Sequence, residues 1–186
     1  MKLSTLPNAI CVLRMLLVVP ILWALAAGAY ELTLLLFLCA GFSDGLDGFL
    51  AKRFGWHSEL GGLLDPLADK LLLVCVFLAV TLLGLVPAWL TSCVIGRDLI
   101  IVSGALAYQY FVGPVRGEPT PVSKLNTVLQ LLFILAVVSR AAYGWPAESL
   151  VIVLGAGIFV TTVVSGIDYV WTWSRRAMRA SRGRTA

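Results

Sequence analysis

Six stretches of this chain are apolar over enough residues to cross about 30 Å of hydrocarbon as helices, and only short connections separate them. They cover roughly residues 10–27, 32–51, 62–83, 88–111, 125–139 and 150–173, the fifth extensible toward Ser123 and Ala142. With 60% hydrophobic and 13% charged residues in 186, the composition excludes a water-soluble globule. The expectation is an all-α integral membrane protein of six transmembrane helices. Its connections, near Gly28 and over 53–60, 84–87, 113–121 and 143–147, leave no room for a second domain. Residues 1–174 read as one six-helix domain and 175–186 as a basic tail. Arg14 interrupts the first apolar run and no small-residue cleavage site follows, so that helix is expected to stay in the protein. Cys11, Cys39, Cys75 and Cys93 lie in apolar stretches without metal-ligand spacing and read as small buried side chains.

Basic residues set the orientation. Lys2, Lys52, Arg53, Arg116, Lys124 and the arginines of the tail fall on the N-terminus, the second and fourth connections and the C-terminus. A six-helix topology puts all of these on one side, so both termini and that side are expected to be cytoplasmic. Little besides Glu31, Arg140 and Glu148 lies opposite. The arginine tail reads as an anchor to anionic lipid, not as a nucleic-acid site.

Against this background stand four aspartates, Asp44, Asp47, Asp65 and Asp69. A carboxylate near mid-bilayer costs roughly 2.5 to 3.5 kcal/mol even on the lenient insertion scale, so four need compensation. Asp44 and Asp47 are three apart and Asp65 and Asp69 four apart, so each pair shares a helix face and the two faces can converge. Two hard divalent cations, magnesium or manganese, need such oxygen ligands and would hold the cluster ionised. Gly48 and Gly61 would let a nucleotide or diphosphate approach the backbone, while Lys52 and Arg53 would neutralise phosphate charge. The topology puts the aspartates at the cytoplasmic ends of the second and third helices, within reach of a soluble substrate group.

At these residues the chain resembles the CDP-alcohol phosphotransferase family, whose signature is D-x2-D-G-x2-A-R-x8-G-x3-D-x3-D. Asp44, Asp47, Gly48, Ala51, Gly61, Asp65 and Asp69 match it with every spacing kept, and Lys52 stands in place of the arginine. Lysine keeps the charge and loses the planar fork. The segment Pro7-Asn8-x2-Cys11-x2-Arg14 also resembles the family's P-N-x2-[S/T]-x2-R, with Cys11 replacing a hydroxyl residue. The resemblance implies transfer of a phosphatidyl group from CDP-diacylglycerol to an alcohol, with release of CMP. It makes Asp44, Asp47 and Asp65 metal ligands, and Asp69 both a member of the metal site and the catalytic base. Asn8, Gly48, Ala51, Lys52 and Gly61 would bind the nucleotide and diphosphate.

Gly96-Arg97-Asp98 and Pro121-x-Ser123-Lys124-x-Asn126-Thr127-x2-Gln130 look more like the eukaryotic-type cardiolipin synthase branch than the branch using glycerol 3-phosphate. Arg97, Arg116 and Lys124 are the candidate pocket for the acceptor's phosphate, which either phosphatidylglycerol or glycerol 3-phosphate would present. Phosphatidylglycerol, giving cardiolipin, is preferred. Glycerol 3-phosphate, giving phosphatidylglycerol phosphate, is the alternative.

Other features read more plainly. Arg97 and Asp98, being adjacent, are expected to need separate partners. Asp168 and Tyr169 read as structural hydrogen-bonding groups, His57 as a loop residue, and Trp145, Trp171 and Trp173 as interfacial anchors. Gly155-Ala156-Gly157 points to close helix packing and to a homodimer contact. An intramembrane prenyltransferase would also use aspartate-rich helices, but with more spans. A divalent-cation transporter would line a path with its acids instead of clustering them at one face.

Overall fold

The structure is a computed structural model that describes the backbone of residues 6–54, 59–111 and 121–182 and the side chains of 13–43, 70–104, 121–169 and 171. Among the described residues there are six helices and no strand: α1 (Leu6–Ala26), α2 (Tyr30–Phe54), α3 (Glu59–Leu82), α4 (Ala88–Phe111), α5 (Pro121–Tyr143) and α6 (Glu148–Arg182). The all-α expectation holds. The apolar run that starts near 125 begins as a helix earlier, at Pro121, where a residue with no backbone N–H suits the first helical turn. α6 continues past the apolar run and carries most of the arginine tail as helix, in keeping with its Ala, Met and Arg content.

Glycine closes three of these helices. Gly28 and Gly84 adopt φ of 70° and 73°, and each is followed by the paired bonds of a Schellman turn. In the first, Gly28 N donates to Leu25 O and Ala29 N to Ala24 O; in the second, Gly84 N donates to Thr81 O and Leu85 N to Val80 O. Gly144, at φ 71°, ends α5 with a bond from its N–H to Arg140 O. Beyond it Arg140 also bonds Pro146 O at 3.0 Å and Glu148 at 3.1 Å.

The chain divides into two compact units. The first comprises residues 1–86 and 134–150; in it α1 packs on both α2 and α3, with Ile21, Leu25, Val76 and Phe77 fully buried. The second comprises residues 87–133 and 151–186, built from α4, the first half of α5 and most of α6. Trp89 and Phe159 meet there edge to face, with centroids 5.6 Å apart.

Both units carry large apolar side chains outward: Leu82 is 87% exposed, Phe42 75% and Ile167 65%. Arg14, Asn126 and Gln130 are turned inward. That inversion of the usual soluble pattern suits an apolar solvent. Among the described residues two helices, Pro121–Tyr143 and Glu148–Tyr169, are long and apolar enough to cross a membrane. Leu13–Ala26, Tyr30–Ser43 and Lys70–Leu82 are shorter apolar helical stretches.

Two glycine substitutions are expected to act with opposite signs. A Cβ at Gly84 would meet nothing within 4 Å, so Gly84→Ala is penalised only through its left-handed backbone, by about 1–2 kcal/mol. Gly41, inside α2 with equally open space, should gain roughly 0.5–1 kcal/mol on replacement by alanine. Thermal unfolding of the detergent-solubilised protein, followed by circular dichroism, checks both. A melting temperature that holds or rises in Gly84→Ala would show that the turn geometry is not what Gly84 supplies, and one that falls in Gly41→Ala would refute the gain expected there.

Candidate active site

The residues that match the signature lie on two helices of the first unit. Asp44, Asp47, Gly48, Ala51 and Lys52 fall within α2, and Gly61, Asp65 and Asp69 within α3. The backbone is helical through both segments, as the spacing argument for shared faces requires. The side chains of all four aspartates lie outside the described residues, as do those of Asn8, Gly48, Ala51, Lys52 and Gly61. Arg116 and His57 lie outside them altogether. No group of three or more metal-ligating side chains occurs among the described residues.

The second unit holds a cluster of polar side chains among the described residues. Arg97, on α4, is 4% exposed and reaches three partners. Its Nη1 donates to Asp98 Oδ1 at 2.7 Å, and its Nη2 donates to Ser123 Oγ on α5 at 2.6 Å and to Ser165 Oγ on α6. One guanidinium thus ties three helices, its planar fork of donors spreading over partners on each of them. The sequence-based expectation that Arg97 and Asp98 need separate partners is corrected here. The long arginine side chain folds back on its own helix, so neighbours that share no face still form an ion pair.

One turn further along α5, Asn126 Oδ1 accepts from Thr161 Oγ1 at 2.8 Å and from Thr162 Oγ1 at 3.1 Å. Tyr169 Oη donates to Ile101 O at 2.8 Å, the structural role expected of it. These contacts fix the register: α4 and α6 run parallel, with 97 beside 165 and 101 beside 169, while α5 and α6 run antiparallel, with 123 beside 165 and 126 beside 161–162. Close approach at the small residues supports this packing. A Cβ at Gly104 would sit 3.1 Å from the Tyr169 ring and one at Gly155 3.3 Å from Phe133, so the close contact at Gly155 is made within the chain.

Of the acceptor candidates, the structure brings Arg97 to Ser123, the residue before Lys124; Lys124 itself is exposed at the start of α5. A groove of about 600 Å³ opens between α4 and α6, walled by Ile100, Val163, Ile167 and Trp171 and floored by Arg97 and Thr162. Sequence reading did not single out Thr161, Thr162 or Ser165. Three hydroxyls at helical spacing inside an otherwise apolar span were the available signal.

Among the described residues the paired aspartates thus stand on two consecutive helices, and the comparisons say which family shares this pattern. The family model described as CDP-alcohol phosphatidyltransferase matches residues 4–180, and the chain belongs to that family. The family is membrane-embedded. Cardiolipin synthase (CMP-forming) of Rattus norvegicus is 27% identical over 97% of this chain and 65% of its own length. The chloroplastic CDP-diacylglycerol–glycerol-3-phosphate 3-phosphatidyltransferase 1 of Oryza sativa subsp. japonica is 32% identical over 90% of this chain and 56% of its own. A Mycobacterium tuberculosis protein named "Probable phosphatidylglycerophosphate synthase" is 30% identical over 91% of this chain and 81% of its own. The chain spans between 31% and 65% of the length of the first three curated relatives it matches.

Removing the guanidinium should cost more than removing the Ser165 hydroxyl. Arg97→Ala removes the buried guanidinium that bonds Asp98, Ser123 and Ser165 and is expected to destabilise by about 3–5 kcal/mol, against about 1 kcal/mol for Ser165→Ala. A double-mutant cycle between the two should return a coupling of about 0.5–3 kcal/mol in thermal or chemical unfolding. A coupling of zero would mean that Ser165 does not hold Arg97.

Proposed function

We propose that this protein transfers a phosphatidyl group from CDP-diacylglycerol to an alcohol and releases CMP, with phosphatidylglycerol as the acceptor and cardiolipin as the product. The observation that carries the reading is the aspartate–glycine signature on α2 and α3, complete but for Lys52, inside a chain that belongs to the CDP-alcohol phosphatidyltransferase family. Glycerol 3-phosphate is the second acceptor, because relatives of similar identity carry names of both kinds. The apolar groove between α4 and α6 suits an acyl chain, which the donor CDP-diacylglycerol carries with either acceptor.

The family is generally dependent on divalent metal. The donor set fits two hard cations: four carboxylates, all oxygen ligands and paired on two helices, with no thiol or imidazole among them. When bound, magnesium or manganese would stabilise negative charge on the diphosphate. Asp44, Asp47 and Asp65 hold that site, Gly48, Ala51 and Gly61 leave the backbone open to the nucleotide, and Lys52 offsets phosphate charge. Asp69 takes the proton from the acceptor hydroxyl. That oxygen then bonds to the phosphorus bearing the diacylglycerol, and the bond from this phosphorus to the CMP oxygen breaks. The reading places all six helices across the membrane with the aspartates facing the cytoplasm, as the distribution of basic residues supports.

Purified protein in detergent, given CDP-diacylglycerol and magnesium or manganese, is expected to release CMP with phosphatidylglycerol and to stop on chelation by EDTA. CMP formed only with glycerol 3-phosphate would move the protein to the alternative acceptor. None with any acceptor would sink the reading. Asp69→Asn should lower kcat by about 10²–10⁴-fold while CDP-diacylglycerol still binds, as expected of a lost general base. Activity retained in that variant refutes Asp69 as the base.

A further inference from the structure

We propose that the arginine-bearing end of α6 is a rigid arm that binds the phosphates of anionic phospholipid at graded depth, its inner arginines among the headgroups and its outer ones in the water beyond. The proposal rests on the reading that α6 crosses the membrane through its apolar part. The helix runs without a break from Glu148 to Arg182, while the stretch long and apolar enough to cross a membrane ends at Tyr169. Tyr169 Oη bonds Ile101 O on α4, so the arm starts from a point held within its own unit. Trp171, just beyond, is 59% exposed, as suits an aromatic ring at the boundary between membrane and water.

The residues on the arm call for a counter-charge that the helix does not supply. Positions 175, 179 and 182 recur on one helix face, with 176 beside it, and all four are arginine. No acidic residue follows Asp168, so none of opposite charge stands three or four positions from any of them. Arginines at that spacing repel one another. The helix dipole favours cations in the last turn only, which accounts for Arg179 and Arg182 and leaves Arg175 and Arg176 unexplained. Every basic residue after Asp168 is arginine and none is lysine. Arginine's planar fork matches phosphate oxygens two at a time, and lipid phosphate is the anion present where a helix leaves a bilayer.

Helix continuity turns this attraction into a gradient. At 1.5 Å per residue, Arg175 stands about 9 Å beyond Tyr169 and Arg182 about 20 Å. Headgroups add roughly 5–8 Å on each side of the hydrocarbon, and salt screens charge beyond about 8 Å at physiological ionic strength. The inner pair therefore meets the phosphates, and Arg182 stands more than a screening length outside them. An unstructured tail would instead lie flat and hold every arginine alike. Phosphatidylglycerol and cardiolipin are both anionic, so on the acceptor reading above the arm binds the lipids that this protein consumes and makes.

The test needs no turnover. Full-length protein is placed in vesicles of phosphatidylcholine, with and without phosphatidylglycerol as about a third of the lipid, and treated with trypsin, which cuts after arginine. Mass spectrometry gives the rate at each site. Phosphatidylglycerol should slow cleavage after Arg175 and Arg176 about fivefold or more, and after Arg182 less than about twofold. Any effect of the vesicle charge on trypsin itself slows all sites alike and cancels in their ratio. In about 1 M salt, where screening acts within about 3 Å, the difference between sites should vanish. Met178→Pro breaks the rod between the two pairs and frees the outer arginines to settle on the surface, so protection at Arg182 should rise to about that of Arg175. Site ratios that do not respond to phosphatidylglycerol overturn the proposal, as does slowing by one factor at all four sites or a gradient that survives salt or Met178→Pro. Release of the protein from the vesicles by alkaline carbonate is the separate result that would sink the membrane-spanning reading itself.

Discussion

Everything in the second unit turns on the cost of placing a guanidinium where water is absent. Arg97 sits at 4% exposure in an apolar helix, and an unpaired charge there would be prohibitive. The price is met by recruiting Asp98 from the same helix and a hydroxyl from each of two others. Those bonds in turn set where α4, α5 and α6 lie against one another. Without a hydrophobic driving force between helices in lipid, interior polar contacts and close packing of small residues are the available determinants of register. The two act together here: Gly104 lets the Tyr169 ring lie against α4, and the hydroxyl of that ring bonds Ile101 O.

How legible this was in the sequence depends on the kind of information each element carries. Helix existence was plain, because a run of apolar residues long enough for a bilayer has one regular solution. Helix ends were blurred where polar residues continue a helix outside the apolar stretch: Pro121 to Lys124 at the start of α5, and the arginines after Trp173 in α6. Hydropathy measures solvent preference and not backbone conformation, so it cannot see either extension. The signature aspartates were legible for a different reason, since their meaning lies in spacing along helices and survives without coordinates.

What the sequence concealed was pairing. Arg97 and Asp98 are adjacent, and a rule about helix faces separates them; the rule holds for Cβ positions and fails for a side chain long enough to curl back. Ser123, Thr161, Thr162 and Ser165 look individually like tolerated small polar residues. Their significance appears only when the antiparallel register sets 123 beside 165 and 126 beside 161–162. No one-dimensional signal carries a register between two helices that are both apolar on their outward faces.

The same reasoning separates the two ways a polar residue can be justified inside an apolar bundle. Arg97, Ser123, Ser165, Thr161 and Thr162 each have a hydrogen-bond partner within the protein. Gln130 is not explained that way, because its amide gains nothing from the folded chain that leucine would not supply better. It lies on the same face of α5 as Ser123 and Asn126, so these polar groups of the helix form one continuous row.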